Sequence, residues 1–279
     1  MKLKQMKLKG QFQYYDLTEE EKEFKRMQEE YVKPFIPKNM KLIRINQKDE
    51  HKFPYSFTYC PIDEDVRFHS GYYTLTPYGI KLDILEEMKR NNIVNIQKRR
   101  EYSFDTYIDK ENWQKAIKKN AMDYVDNFDG NKWFAITGIS GSGKSHIATS
   151  VVFGLASRGI KVDYISWVHF KNTLKNDLND AGSKTNYIMT RPILYIDDFL
   201  KVGVDEKAPT SFELEQAVNI IWYRYDNNLP TIISTEFDLE VDINNFSRAI
   251  AGRIIEMAKG YTNVIGNDSN RNYRLHGDF

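Results

Sequence analysis

The rhythm of apolar and polar positions changes near residue 98. Ahead of it, the pieces are short and irregular; beyond it, apolar runs of strand length alternate with helical stripes. In the first part, Thr18 with Glu21 three residues on forms a capping box. Phe24, Met27 and Tyr31 then share a helical stripe that Pro34 and Pro37 stop. Between 38 and 70, Phe53, Tyr55, Phe57, Tyr59 and Phe68 alternate with polar residues, which predicts short strands or a hairpin. A second helix is expected where Thr76 caps, Pro77 opens the first turn, and Ile80, Ile84, Leu85 and Met88 share a face. At the start, Lys2, Lys4, Lys7 and Lys9 alternate with Leu3, Met6 and Leu8, a pattern that reads as a frayed tail or as a docking arm.

The second part is more regular. From about 109 an amphipathic helix carries Trp113, Ile117, Ala121, Tyr124, Val125 and Phe128 on one side, with Gly130 beyond its end. An apolar run over 133–136 predicts a buried strand. Ile147, Ala148, Val151, Val152, Leu155 and Ala156 then recur at helical spacing, and Gly159 ends that helix. Residues 161–166 alternate as a strand, and Trp167, Phe170, Leu174 and Leu178 share the next helical face. A third strand is expected at 193–196. Thr210 with Glu213 caps a helix through Ala217, Val218, Ile221, Trp222 and Tyr225, and 231–233 form a fourth strand. The last helix, expected over 244–259, carries Arg248 and Arg253, with Gly260 at its end. This alternation predicts an α/β domain over 98–279, a parallel sheet flanked by helices, preceded by a small mixed domain over 1–97.

Composition narrows the partners. The chain has 279 residues and a net charge of +1, so any contact with nucleic acid must come from a local patch. Lys98-Arg99-Arg100 is such a run and reads equally as a solvated linker. Lys171 and Lys175, four apart on a helix with Trp167 and Phe170 beside them, are the best candidates for phosphate contacts and base stacking; the aromatics read equally as core. The single cysteine, Cys60, with His51 and His69 loosely spaced around it, is expected to be a packing residue rather than a metal ligand. No stretch approaches the length of a membrane span and no apolar signal core opens the chain, so a soluble, cytoplasmic protein is expected.

The candidate chemistry lies in the second part. Gly138-Ile139-Ser140-Gly141-Ser142-Gly143-Lys144-Ser145 fills every position of a phosphate-binding loop, between a strand and a helix as that loop requires. Glycines let backbone N–H groups turn inward on phosphate oxygens. Lys144 is placed for the β- and γ-phosphates and the Ser145 hydroxyl for Mg²⁺, and His146 follows directly. The run that ends in Asp197 and Asp198 supplies the acidic partner, Asp197 for the metal and Asp198 for the attacking water. A polar group among Ser234, Thr235 and Glu236 is expected to sense the γ-phosphate.

With these motifs, and with Ala249-Ile250-Ala251-Gly252-Arg253-Ile254 and Asn272-Tyr273-Arg274 following in that order, the chain from about 100 onward resembles the ATPase domain of the DnaC/DnaI-type replicative helicase loaders. These are a branch of the AAA+ ATPases; IstB-type transposition helpers share their fold. The resemblance implies ATP and Mg²⁺ as cofactors, ATP hydrolysis, and self-association through the ATP site. It also implies a DnaB-type hexameric helicase and single-stranded DNA as partners, the N-terminal region gripping the helicase. It places Arg253 as an arginine finger and Arg274 as a second basic position near the nucleotide. Thr235 falls among the γ-phosphate sensors and Phe104 and Tyr107 beside the adenine. Some of these loaders carry a cysteine-rich zinc module that this chain cannot build.

Overall fold

The computed structural model describes residues 3–8, 11–16, 18–48, 53–65, 71–93, 95–203, 206, 208–266, 268 and 271–273. The chain divides into two compact units, 1–80 and 81–279.

In the first unit, β1 (Leu3–Leu8) pairs antiparallel with β2 (Gln11–Asp16). The alternation of lysine with apolar residues at the chain start therefore belongs to a strand, not to a frayed tail, as its period of two allows. Helix α1 (Glu19–Met27) opens on the expected box: Thr18 Oγ1 accepts from Glu21 N at 3.2 Å and Glu21 Oε2 accepts from Thr18 N at 3.1 Å. A π turn and a 3-10 turn carry the chain through Pro34. Three antiparallel strands follow, β3 (Met40–Gln47), β4 (Pro54–Pro61) and β5 (Tyr72–Leu75), in that order across the sheet. Phe57 and Cys60 are fully buried on β4, so the lone cysteine packs as expected; His51 and His69 lie outside the described residues. Helix α2 (Pro77–Arg90) starts where Thr76 Oγ1 accepts from Gly79 N, and the division between the units falls within it.

In the second unit come α3 (Ile96–Arg100), α4 (Asn112–Asp126), β6 (Phe134–Thr137), α5 (Lys144–Ser157), β7 (Asp163–Ser166), α6 (Trp167–Asn176), α7 (Ala181–Met189) and β8 (Leu194–Asp197). They are followed by α8 (Ser211–Asp226), β9 (Thr231–Thr235), α9 (Asn244–Phe246), α10 (Arg248–Met257) and β10 (Thr262–Val264). The five strands form one parallel sheet in the order β10-β6-β9-β8-β7. Strands β6, β8 and β9 are buried at every position, which is why each is built on a short apolar run that gives way to polar residues at its carboxyl end. The order reverses between β6 and β9, and at such a switch point loops diverge and leave a crevice at the carboxyl ends of the strands.

Two features depart from the expected pattern. Strand β10, three residues long, is too short to show a period. The last helix is broken at Ser247, whose extended backbone (φ −160°) ends α9 and whose Oγ caps α10 by accepting from Ile250 N. Trp167 and Phe170 belong to the core with Phe199 and Leu200, so they offer no stacking platform to a base. The exposed edge of β7 is covered from α2. Glu87 accepts from Tyr164 N at 2.9 Å and Asn91 accepts from Ser166 N at 3.2 Å, so two side chains one helical turn apart replace a missing strand.

Candidate functional site

The phosphate loop leaves β6 at the switch point. Gly138 has φ 144°, and a Cβ there would come within 2.6 Å of the Ile265 Cβ, so only glycine lets the loop start beside the strand-β10 exit. Gly143, at φ 94°, lies against Tyr107, whose ring would meet an added Cβ at 3.1 Å. Ser142 Oγ and Lys144 Nζ both donate to the Ile139 carbonyl, at 2.7 and 2.8 Å. Burial pushes the Lys144 ammonium down to about 8, against the pull of Glu236 and Asp198.

The loop forms one wall of a cavity of about 360 Å³. Tyr102, Thr106, Tyr107, Asp198, Lys201, Glu236, Gln114 and Tyr273 also line it. The Tyr102 and His146 rings stack at 4.2 Å and 9°. His146 Nε2 lies 3.0 Å from the Ser103 carbonyl, which can only accept, so Nε2 carries the proton. Burial pushes this imidazole down to about 4 and keeps it neutral. The Tyr107 hydroxyl is buried with no partner among the described residues, a polar group placed for a ligand or water. Tyr273 N donates to the Gly141 carbonyl and so is held against the loop.

Asp197 ends β8 and is almost fully buried. Its Oδ1 accepts from Ser234 Oγ at 2.6 Å, Tyr195 OH at 2.7 Å and Ser145 Oγ at 3.2 Å. Its Oδ2 accepts from Arg99 Nη2 at 2.6 Å and Tyr164 OH at 3.0 Å. Burial alone would raise this carboxyl, but the Arg99 guanidinium and the Ser234 and Tyr195 hydroxyls hold it down at about 2. Asp198 stands in the left-handed region at φ 55°, and its Oδ2 accepts from Lys201 Nζ at 3.0 Å. Burial and the Asp197 charge raise the Asp198 carboxyl against that contact.

The structure thus brings Gly141, Ser142, Gly143, Lys144, Ser145, His146, Asp198, Glu236 and Tyr107 to one cavity, with Asp197 bonded to Ser145 behind it. Other expected residues stand apart. Ser234 and Thr235 are fully buried, Ser234 committed to Asp197 and Thr235 donating to the Phe199 carbonyl at 2.8 Å. Phe104 packs against α5, where it would touch a Cβ on Gly154 at 3.5 Å. Arg253 lies over the Trp222 and Tyr225 rings, at 4.5 and 5.1 Å, outside the cavity lining; Arg248 is exposed. Arg274 falls outside the described residues. Lys171 is buried with its Nζ 3.2 Å from Glu213 and donating to the Lys201 carbonyl, and Lys175 lies 3.0 Å from the same Glu213. The expected phosphate contact on DNA is therefore corrected for Lys171, which is withdrawn from solvent; Lys175 is exposed beside the same carboxylate.

Arg99 is the participant that the sequence hid. It sits in a basic run whose neighbours Lys98 and Arg100 are exposed, and nothing in the run distinguishes it. Besides Asp197, Arg99 Nη1 donates to Thr149 Oγ1 at 2.9 Å and to the Ser145 carbonyl at 3.3 Å. Lys201 was hidden in the same way, by lying three residues past the acidic pair.

The donor set suits a nucleotide with a divalent cation: a glycine cradle that a Cβ would fill, a hydroxyl and a carboxylate 3.2 Å apart at its end, and an orphaned buried hydroxyl in the aromatic wall.

No family model matches the chain. Among curated proteins it is 32% identical over 165 residues to the phage-like element PBSX protein XkdC of Bacillus subtilis (strain 168), covering 58% of this chain and 62% of that protein. It is 27% identical over 144 residues to the replicative helicase loader DnaC of Escherichia coli (strain K12), covering 50% of this chain and 56% of that protein. The chain thus spans less than two thirds of the length of these relatives. Among solved structures, a DnaC helicase loader superposes with a TM-score of 0.50 at 22% identity, over 61% of this chain and 99% of that one. The resemblance read from the motifs is met in the fold: the α/β unit with its parallel sheet is similar to that of the solved DnaC helicase loader. Among the described residues no helix is long and apolar enough to cross a membrane.

Proposed function

We propose that this protein is an ATP-dependent loader. It binds a ring-shaped replicative DNA helicase and delivers it onto single-stranded DNA, with ATP binding and hydrolysis controlling assembly and release. The observation that carries the nucleotide half is the convergence of the complete phosphate loop, Asp198 and the Tyr102–Tyr107–His146 wall on one cavity. The loop N–H groups and Lys144 hold the phosphates, and the aromatic wall takes the base. Ser145 and Asp197 would hold Mg²⁺, which when bound neutralises charge on the β- and γ-phosphates. Asp198 orients the attacking water and accepts its proton. Arg253, outside the lining of its own cavity, serves the site of a neighbouring copy. The E. coli relative, a replicative helicase loader, supports the partner half; residues 1–97 take the helicase, and residues 98–279 take the DNA.

One observation favours a second reading, a nucleotide-switched adaptor that turns over slowly: Asp198 is engaged by Lys201 at 3.0 Å. Both readings share the partner and are separated by hydrolysis rate. The testing experiment mixes the full chain with a purified ring helicase and ATP, ADP or no nucleotide, and reads complex formation by size-exclusion chromatography. A complex whose amount depends on nucleotide, and which transfers helicase to single-stranded DNA, is expected. A chain that binds ATP yet captures a transposase and no helicase would overturn the loader reading.

A further inference from the structure

Residues placed to sense the γ-phosphate are expected at the end of β9, and two of the three are already committed. Ser234 and Thr235 are fully buried and bonded to Asp197 and to the Phe199 carbonyl. Only Glu236 lines the cavity. A carboxylate there would repel a triphosphate unless its charge were met, and Lys201 meets it: Lys201 Nζ lies 3.0 Å from Glu236 Oε1 and 3.0 Å from Asp198 Oδ2.

The backbone that presents Lys201 is held with unusual firmness. Asp198 and Leu200 both adopt left-handed φ values, 55° and 60°, which non-glycine residues accept only where the surroundings impose them. Phe199 and Leu200 are fully buried, Phe199 N donates to the Ser234 carbonyl at 2.8 Å, and the Lys201 carbonyl accepts from the buried Lys171. The turn is anchored on three sides, and its one cationic side chain lines the cavity with the phosphate loop.

We propose that Lys201, tethered by Glu236, reads the γ-phosphate in cis and holds Asp198 until that phosphate is present. An ammonium has three donors, and two are spent on Asp198 and Glu236. The third is available to a phosphate oxygen, whose greater charge draws the ammonium from Asp198. That carboxylate is then free to act on water, while Glu236 keeps the lysine in place. With a diphosphate the contact to Asp198 persists. The inference rests on the nucleotide reading above and gives the slow turnover of the second reading a cause.

The test measures equilibrium affinity of the full chain for ADP and for a non-hydrolysable ATP analogue, both with Mg²⁺. The parental protein is expected to prefer the analogue. Lys201→Met should lower analogue affinity about tenfold or more and leave ADP affinity within about twofold, so that the preference disappears. Lys201→Arg should keep part of the preference, and Glu236→Asp, which keeps the charge but shortens the reach to Lys201, should weaken it by loosening the tether. Unchanged preference in Lys201→Met, or equal loss of both nucleotides in a protein that melts like the parent, overturns the proposal. If Lys201→Met fails to fold, Glu236→Asp decides: preference undiminished there overturns it as well. A parental chain that binds neither nucleotide refutes the nucleotide reading instead, which keeps the two failures distinct.

Discussion

Arg99 Nη2 lies 2.6 Å from Asp197 Oδ2, joining a five-residue helix ahead of the parallel-sheet core to the acidic end of β8. Both side chains are largely buried, so the ion pair is shielded from salt and its loss leaves a charge without a partner.

Arg99→Ala is therefore expected to destabilise the fold by about 3 kcal/mol, in the range for removing one member of a buried pair. Replacing Asp197 by Asn in the same protein should recover part of that loss, because the stranded charge is gone. Chemical denaturation of the two single variants and the double variant gives the coupling. Strictly additive costs would show that the pair contributes nothing.

Asp198→Asn keeps the hydrogen-bonding shape of the side chain but not its basicity. ATP affinity should stay within about threefold while hydrolysis falls by about 10²-fold or more, the usual scale for losing a general base. Asp197→Asn should in addition raise the Mg²⁺ concentration needed for half-maximal binding. Turnover of Asp198→Asn at the parental rate would remove that residue from water activation.

Arg253, stacked over Trp222 and Tyr225 and outside its own cavity lining, is expected to act on a neighbouring site. Arg253→Ala should bind ATP nearly normally and hydrolyse it on the order of 10³-fold more slowly. Mixed with Lys144→Ala, which cannot hold ATP but keeps its finger, it should regain part of its activity. The check is a titration of one variant against the other. No recovery when mixed assemblies are shown to form would pass the role to Arg248 or Arg274.

The edge of β7 gives a stability prediction. A fragment starting at 77 keeps Glu87 and Asn91 on the Tyr164 and Ser166 N–H groups; one starting at 98 strips them and opens the strand edge. The shorter fragment should melt at lower temperature and self-associate. Equal melting and a monodisperse profile for both would mean that the edge needs no cover.

Local chemistry alone determined the parts whose signal is carried by neighbours in sequence. The boxes at Thr18–Glu21 and Thr210–Glu213 form because a cap needs residues three apart. Likewise the apolar runs at 134–136 and 194–196 are strands because burial on both faces demands apolar residues at successive positions. The phosphate loop was legible for the same reason: its glycines, lysine and serine act within eight consecutive positions. What the tertiary structure decided are the long-range pairings. Arg99 reaches Asp197 across 98 positions, and no local feature sets it apart from Lys98 or Arg100. Lys171 looked like a surface cation until Glu213 was folded against it, and Ser234 looked like a sensor until it was seen bonded to Asp197. A charge declares its residue type in the sequence; which opposite charge meets it depends on which strand ends the sheet brings side by side.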